Sequence, residues 1–468
     1  MTPLQRSPQR SGYLPNPAQP AATASAHAPA RPAFYLALIF VFVVWARFPE
    51  IMDMFTGSAV HSVRIIVGLA LLSILLFGGD IRAAFSKVGI CLFGFTSWMC
   101  ICLPFSTWRG GSFHMLRDMW LMALLAFVII ASAVLGLEQC RRIMYSLAAA
   151  TAFIEIVTLA TGRIQGGRLA LLGGTLANAN YLALILLMGV PFCLFVIRTK
   201  PGMSPLKFVS ILMLLCIPIT VASTGSRGGL VTLVFMFLIY FWPLPLSQKV
   251  VTGIVTLILA VIAIAWSTRS AIDRLTLIVT PSSTTQLSAS ELSAVESMKL
   301  RKELLYSSLE LTLRHPLLGV GPGMFVVANA QFMQATTGKS DFSAWYETHN
   351  TFTQISCEDG LPGLILYCLA LLYCLKIAHD ADKRGRQNPA WSEVRHMAFA
   401  LRLSLAAFIG TALFASNAYM YYFPMLAALC VAVDRATRVP EMPVTPAPGG
   451  AVASMAVRMA PRKRPSFR

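Results

Sequence analysis

Charged and titratable side chains collect in one polar stretch of an otherwise apolar chain. The stretch runs from Ser267 to Glu358 and contains Arg301, Arg314, His315 and His349. Arginine offers a planar, permanently charged fork that suits phosphate oxygens, and histidine can exchange a proton near neutral pH. Together these residue types predict a site that binds an anion and can move a proton.

The composition of the chain indicates where such a site must lie. Of 468 residues, 56% are hydrophobic and only 12% are charged, and the mean hydropathy is +0.67. A chain this apolar cannot bury its surface in one water-facing fold. We predict an all-α, polytopic membrane protein with about twelve transmembrane helices and one large, partly helical periplasmic loop, because apolar segments of roughly 17 to 25 residues recur along it. The predicted spans lie near residues 33–50, 60–78, 86–105, 115–136, 142–161, 175–197, 205–223, 227–245, 249–267, 359–377, 396–415 and 417–435.

The distribution of lysine and arginine predicts the orientation. Lysine and arginine are enriched in the cytoplasmic connections of membrane proteins. If both termini of this chain are cytoplasmic, more of its basic residues fall in the inner connections. Those connections hold Arg82, Lys87, Arg141, Arg142, Arg198, Lys200, Lys207, Lys249, Lys383, Arg384, Arg386 and Arg395. The domains are then a disordered cytoplasmic tail (1–32), transmembrane helices 1–9 (33–267), a periplasmic catalytic loop (268–358), transmembrane helices 10–12 (359–435) and a basic cytoplasmic tail (436–468). For a bacterium, this arrangement places the protein in the inner membrane.

Several other partners are disfavoured by the sequence. The net charge of +18 is largely the topological signal, and a basic tail beside anionic lipid explains the rest without nucleic acid. The ten cysteines lie mostly in apolar spans and are expected to be small core residues, with no disulfide framework. No metal site and no cofactor are predicted.

The first motif that suits an anion is Thr224–Gly229, where an outer connection enters the eighth predicted span. Glycines allow close approach, the start of a helix leaves N–H groups unpaired, and Arg227 adds a fixed positive charge. An arginine at a helix end is equally often an interface anchor. The residues alone leave these two interpretations open.

The second motif is a loop helix that begins near Ser288, where Ser288 and Glu291 have the spacing of a capping box. Apolar residues at helical intervals predict one face against the membrane domain, and Arg301 is expected to share it. Lys299 and Lys302 are expected to be solubilising charges. The helix should stop at His315, a structural cap, before glycines make a return turn. The predicted apolar face comprises Leu292, Val295, Met298, Leu305 and Leu309, and the turn comprises Gly319, Gly321 and Gly323.

The third motif runs from Glu347 to Asn350 and is followed by Glu358 at the entrance of the tenth predicted span. His349 can accept a proton from an attacking hydroxyl or donate a hydrogen bond to a phosphate oxygen. Glu358 is expected either to orient a partner or to cap the first turn of that span. The role of Glu347 is equally open.

These motifs, in this order, resemble the O-antigen ligase and polymerase superfamily over about residues 30–435. The resemblance rests on the twelve predicted spans, Ser226–Gly228, Arg301 with Leu305, the string from His315 to Gly321, and His349–Asn350 with Glu358 and Gly360. A weaker likeness covers Gly167–Arg168 and Asn178–Asn180. It implies a GT-C-type helical fold.

The resemblance also implies an activity. Members use glycans carried on undecaprenyl diphosphate at the periplasmic leaflet, so the expected donor is such a lipid and the expected acceptor is a glycan or lipid A core. Arg227 and Arg301 match the two arginines that grip the diphosphate, and His349 matches the essential loop histidine. Further candidates for substrate binding are Arg168, Arg314, His315, Asn350, Glu347 and Glu358.

The alternative is a transporter or flippase that binds an anion or a lipid-linked substrate without chemistry. Transporters place ionisable residues and broken helices near the middle of the bilayer. Here the charged motifs cluster at one face, and the spans have few breaks apart from those near Pro191 and Pro218. The sequence therefore favours an enzyme over a transporter, and the resemblance implies a metal-independent, inverting glycosyltransferase.

Overall fold

The computed structural model describes residues 32–57, 62–77, 79–269, 271–272, 289–337, 346–388 and 391–438, and these are mostly helical. In the first half of the chain the helices are α1 (Pro32–Trp45), α2 (Phe48–Thr56), α3 (Ser62–Phe77), α4 (Lys87–Cys102), α5 (Arg109–His114), α6 (Leu121–Ala133), α7 (Leu137–Thr161) and α8 (Ala179–Thr199). They continue as α9 (Pro205–Ser223), α10 (Arg227–Phe241), α11 (Leu246–Trp266), α12 (Ala289–Arg314), α13 (Phe325–Thr337), α14 (Thr351–Glu358), α15 (Gly360–Gln387), α16 (Ser392–Ala412) and α17 (Tyr422–Thr437).

Short irregular elements join these helices. A π-helix, Met115–Trp120, connects α5 to α6. A two-stranded antiparallel hairpin, β1 (Arg163–Gln165) and β2 (Arg168–Ala170), lies between α7 and α8, with Gln165 opposite Arg168. This hairpin is part of the site described below.

A helix occupies each of the twelve predicted ranges, which confirms an all-α, multi-pass membrane protein. Among the described residues, seven spans are long and apolar enough to cross a membrane, and the bent pair of α1 and α2 makes eight if it counts as one span. The apolar parts of α3 and α10 are shorter than such a span. The number of twelve crossings stays a prediction.

Two charged residues, Arg47 and Glu50, lie where the first predicted span ends, at the bend between α1 and α2. The two helices meet at 60°, and Arg47 between them has a left-handed backbone with φ of 51°. Its buried guanidinium donates to Glu50 Oε1 at 2.6 Å and to the Tyr422 hydroxyl at 3.0 Å. The two charges therefore neutralise each other inside the bundle, which lowers the cost of burying them.

The bundle is organised around α8, most of whose side chains are buried and which packs against α7, α9 and α16. Small residues allow these helices to approach closely, as is usual in membranes. Gly189 of α8 lies directly against the Thr151 side chain of α7, where a Cβ atom would clash. At the other extreme, α11 packs on α9 and exposes nearly all its side chains.

The predicted loop helix is present as α12 and ends at Arg314, as the sequence indicates. Gly319, Gly321 and Gly323 follow with positive φ values of 64°, 106° and 72°, a region that favours glycine. They turn the chain into α13, and this predicted turn is confirmed. Ser288 of the expected capping box lies outside the described residues.

A set of backbone hydrogen bonds, here called the clamp, fixes this turn against the junction of α14 and α15. The Val320 N–H donates to the Cys357 carbonyl at 2.8 Å, and the Gly321 N–H donates to the Glu358 carbonyl at 2.9 Å. In the opposite direction, the Leu361 N–H donates to the Pro316 carbonyl at 2.8 Å. The clamp joins the loop to the first residues of a membrane-spanning helix.

The predicted inward face of α12 is wrong. Leu304, Ser308 and Leu311 are buried, whereas the predicted Leu292, Met298, Leu305 and Leu309 are exposed. The buried face carries small hydroxyl side chains that fit closely against α14, as in the contact of 2.9 Å between Thr312 Oγ1 and Ser356 Oγ. Arg301 still faces inward, but beside Leu304 and Ser308.

We predict that a topology reporter fused after Ala335, in α13, is active only outside the cytoplasm. A reporter fused after Arg386, at the end of α15, is expected to be active only inside. The reason is that one crossing, α15, separates the two positions and that basic residues follow it. Paired phosphatase and fluorescent-protein fusions measure both sides, and inverted signals at the two positions would refute the periplasmic assignment of the loop.

Candidate functional site

A cavity of about 1070 Å³ lies between the loop helix and the nearby ends of the bundle helices. One wall is α12, which contributes Leu300 and Arg301, and the opposite wall is the hairpin and the segment that leads into α8. His349 lines the cavity between them. Of the nine predicted site residues, this cavity therefore brings together Arg168, Arg301 and His349.

Arg168 is held at the cavity wall by two different elements. Its Nε atom donates to the Thr224 carbonyl at 2.8 Å, just beyond the end of α9. Its Nη2 atom donates to Asn180 Oδ1 at 2.7 Å, in the first turn of α8. Asn178 caps that helix by accepting from the Asn180 N–H at 2.9 Å. Two motifs that the sequence linked only by resemblance are thus one hydrogen-bonded unit.

Arg301 also lines a second, much smaller cavity of about 10 Å³, at the start of α10. The other lining residues include Asn180, Ser226, Gly228 and Gly229. The first turn of a helix presents N–H groups and a positive dipole end, so this compartment favours negative charge. The guanidinium of Arg301 adds to that field.

Arg227 is the first residue of α10, and its side chain lines neither cavity. Ser226 caps the helix by accepting from the Gly229 N–H at 3.2 Å. The following glycines are required by packing, since a Cβ atom on Gly228 would lie 2.5 Å from Phe414 Cβ. The motif therefore places Arg227 at the edge of the compartment that Arg301 enters.

The backbone around His349 is tightly fixed. His349 has a positive φ of 52°, which is unusual for a residue other than glycine. Its N–H donates to Ser416 Oγ at 3.0 Å, and Thr348 Oγ1 lies 3.0 Å from the same atom. Asn350 caps α14, because its Oδ1 accepts from the N–H groups of Phe352 and Thr353 at 2.9 and 3.1 Å. The predicted binding residue Asn350 thus has a structural role beside the cavity.

The charge state of His349 follows from its surroundings. Burial, and then the positive charge of Arg301, lower its pKa to about 4. The imidazole is therefore neutral at neutral pH and can accept a proton or a hydrogen bond. An anion between Arg301 and His349 would offset the repulsion and raise this pKa again.

Glu347 lies beside the site and does not line the cavity. The Tyr181 hydroxyl lies within hydrogen-bond distance of both Glu347 Oε2 and the Ser416 carbonyl, at 3.1 Å in each case. Ser416 is the residue that also holds the His349 backbone. Glu347 therefore belongs to the support of the histidine loop.

Arg314 and His315 are exposed at the far end of α12 and line neither cavity. Arg314 pairs with Glu310 at 2.9 Å and lies over the Phe332 ring. Thirteen residues of helix separate Arg314 from Arg301, which corresponds to roughly 20 Å. The structure does not bring these two predicted residues to the cavity.

Glu358 is buried and lies away from the cavity, and the prediction that it caps the tenth predicted span is wrong. Its carboxylate accepts from the Phe325 N–H at 3.0 Å, so it caps the start of α13. The Tyr419 hydroxyl lies 2.7 Å from both Glu358 Oε2 and Asp359 Oδ2. One hydroxyl hydrogen cannot serve both carboxylates, so a proton must reside on one of the two acids.

The sequence analysis did not find the residues that hold the wall opposite α12. Glu50, already paired with Arg47, accepts at 2.8 Å from the Thr175 N–H and lies 3.2 Å from the Thr175 hydroxyl. This fixes the segment that contributes Gly174 and Ala177 to the cavity. The available signal was a pair of opposite charges three residues apart in an apolar span.

Residues 208–368 match the family model described as O-antigen ligase. This region contains Arg227, Arg301 and His349 and the whole clamp, and the match supports the predicted relation to the O-antigen ligase and polymerase superfamily. No curated protein matches the chain.

We predict that the stability of the protein decreases as the pH rises from about 5 to 8. Burial raises the pKa of Glu358 from 4.5 to about 7 and that of Asp359 well above its usual range. Between the unfolded and folded pKa values of Glu358, the folded state keeps a proton that the unfolded state has released. Raising the pH through this range therefore lowers the free energy of unfolding, by on the order of 3 kcal/mol at the upper end. The apparent unfolding temperature of the purified protein, followed against pH, measures this.

Glu358→Gln and Asp359→Asn are expected to flatten that pH dependence, because each removes a buried titrating group. Glu310→Gln is the matched control on α12, where the carboxylate is exposed and pairs only with Arg314 among the described contacts. If the unfolding temperature depends on pH as steeply in Glu358→Gln and Asp359→Asn as in Glu310→Gln, the proton is bound by other groups.

Proposed function

We propose that the protein transfers a glycan from undecaprenyl diphosphate to a glycan or lipid A core acceptor at the periplasmic face of the inner membrane. The match of residues 208–368 to the O-antigen ligase family model supports glycan transfer in general. The specific donor, acceptor and reaction are the proposal. The observation that carries it is the cavity where Arg168, Arg301 and His349 meet at the ends of apolar spans.

The position of the cavity suits a lipid diphosphate. Its residues attach to span ends, through Thr224 after α9, Asn180 at the start of α8 and Ser416 after α16. A polyprenyl chain in the hydrocarbon core places its diphosphate at this level. The donor would enter sideways between helices, and the acceptor would approach from the periplasm through the open side of the cavity.

The basic groups would act on the leaving diphosphate. As the anomeric carbon separates from the phosphate oxygen, negative charge grows on that oxygen, and a fixed guanidinium stabilises it without rearrangement. Arg301 projects toward the start of α10, where Arg227 and the first-turn N–H groups add to the same positive field. Arg168 would hold the outer phosphate or a sugar from the opposite wall.

His349 would act on the acceptor. Its neutral imidazole takes the proton of the attacking hydroxyl while the new glycosidic bond forms and the bond to diphosphate breaks. The diphosphate lipid leaves with both electrons of that bond. A single displacement of this kind inverts the anomeric configuration, and the charge it develops is met by guanidinium and imidazole groups.

We predict that Arg301→Lys and Arg227→Lys lower the rate of transfer, and that the alanine variants lower it further. Lysine keeps the charge but loses the planar fork. Loss of a contact that strengthens in the transition state costs roughly 2 to 4 kcal/mol, or about 30- to 1000-fold in rate. The measurement is turnover of undecaprenyl-diphosphate glycan by purified variants in nanodiscs.

Lys302→Ala is the matched control for Arg301. It removes a positive charge one residue away on the same helix, and Lys302 does not line either cavity. Its activity is expected to equal that of the wild type. Equal sensitivity of Lys302 and Arg301 would mean that the net charge of α12 matters and that a specific diphosphate contact does not.

We predict that His349→Ala abolishes transfer, with a loss of roughly 100- to 10,000-fold, while binding of the lipid-linked donor stays near the wild-type level. The reason is that the histidine acts on the acceptor proton and Arg301 binds the donor. Initial rates and donor binding are measured on the same nanodisc samples, with a chelator present throughout.

His315→Ala is the control for this variant, because His315 is exposed at the end of α12 and outside both cavities. It is expected to keep full turnover. Full activity of His349→Ala would remove that residue from the mechanism, and loss of wild-type activity in chelator would show that a metal ion takes part.

A further inference from the structure

The loop helix α12 crosses the outer ends of the bundle helices. Near its middle, Arg301 lies in a compartment with Ser226 and Gly228, at the start of α10. Beyond its end, Pro316 accepts the hydrogen bond from Leu361 in the first turn of α15. Both attachment points are therefore at the ends of bundle helices, one of which, α15, is long and apolar enough to cross a membrane, and this places this part of the helix close to the membrane surface.

The length of the helix fits this path. The thirteen residues from Arg301 to the end of the helix at Arg314 correspond to roughly 20 Å, and Pro316 follows directly. In the bundle, α16 packs between α10 and α15. The axes of neighbouring helices are about 8 to 10 Å apart, so the axes of α10 and α15 are about 16 to 20 Å apart. The helix is thus long enough to lie across the ends of α10, α16 and α15, roughly parallel to the membrane plane.

An apolar stripe follows the face of α12 that is turned away from the protein. The stripe is defined as Met298, Leu305, Tyr306, Leu309 and Leu313, which lie within roughly 100° of one another around the helix. Leu313 is 77% exposed and Tyr306 is 60% exposed, and the other three are exposed as well. A helix surrounded by water would normally carry polar side chains on this face.

The stripe continues into a surface that faces lipid. Next to its end, Leu317 is exposed in the turn held by the clamp, and Leu361 and Ile365 are exposed on the spanning helix α15. Thr107, which donates to the Val320 carbonyl at 2.9 Å, lies beside the exposed Trp108. Tryptophan and tyrosine are enriched where membrane meets water.

The chemistry of the stripe also suits lipid headgroups. Lys302 lies along it, and its Nζ atom is 5.8 Å from the centre of the Tyr306 ring. Lysines beside an apolar face are typical of helices that lie in the interface, where they contact anionic phosphates. Both the apolar and the charged side chains of this face are therefore suited to contact with membrane lipid.

We propose that α12 is seated in the outer leaflet through this stripe, so that the helix carrying Arg301 is held by lipid on one face and by α14 on the other. The lipid contact fixes the height of Arg301 at the level of the headgroup phosphates. The proposal concerns membrane contact and does not require that the protein transfers glycans.

The test is photo-crosslinking of the full-length protein in nanodiscs of phosphatidylethanolamine and phosphatidylglycerol. A benzophenone amino acid replaces Leu305, Leu309 or Leu313 one at a time, which the fold should tolerate because each side chain is exposed. Ile365 on α15 is the positive control, and the exposed Glu310, which pairs with Arg314 at the polar edge of the stripe, is the matched negative control. Mass spectrometry quantifies the lipid adducts.

We expect the three stripe positions to give lipid adducts at a yield close to that of Ile365 and several-fold above that of Glu310. Yields at the Glu310 level at all three positions would overturn the proposal, because the stripe would then face water. Adducts mainly to a second copy of the chain would also overturn it, since the occupant would be protein.

Discussion

The arrangement of the site depends on the clamp, the backbone hydrogen bonds between the turn after α12 and the junction of α14 and α15. Gly319 and Gly321 make it possible, because a Cβ atom on Gly319 would overlap the Glu358 carbonyl group and one on Gly321 would overlap the Ser106 side chain. In a membrane, unpaired backbone groups at a span entrance are costly, so these bonds are strongly favoured. They fix α12, and with it Arg301, relative to α14, which begins two residues after His349.

The electrostatics of the cavity follow from that geometry. Arg301 and His349 face each other at the edge of a low-dielectric bundle, and the resulting repulsion helps to keep the histidine neutral. The opposite wall depends on a second set of buried charges, in which Arg47 neutralises Glu50 and Glu50 holds Thr175. The two walls of the cavity are therefore held by parts of the chain that are more than a hundred residues apart.

Local signals in the sequence predicted local structure well. The end of α12 at Arg314 and the glycine turn after it were confirmed, because backbone sterics alone determine them. The inward face of α12 could not be predicted, since Met298 and Leu305 have the same seven-residue spacing as Leu304 and Leu311. Which stripe is buried depends on contacts with α14, such as that of Thr312 with Ser356. Likewise, the role of Glu358 depends on Phe325 and Tyr419, which reach it only in the folded chain.

These two apolar stripes are informative about the molecule as a whole. A helix in water with two such faces would bury one and aggregate through the other. A helix at a membrane surface can use both, one for protein and one for lipid. Arg301 lies on the face turned to the protein, three residues before the buried Leu304, and lines the cavity there. The amphipathic pattern that would seat the helix in the interface therefore also turns its arginine inward, toward the cavity.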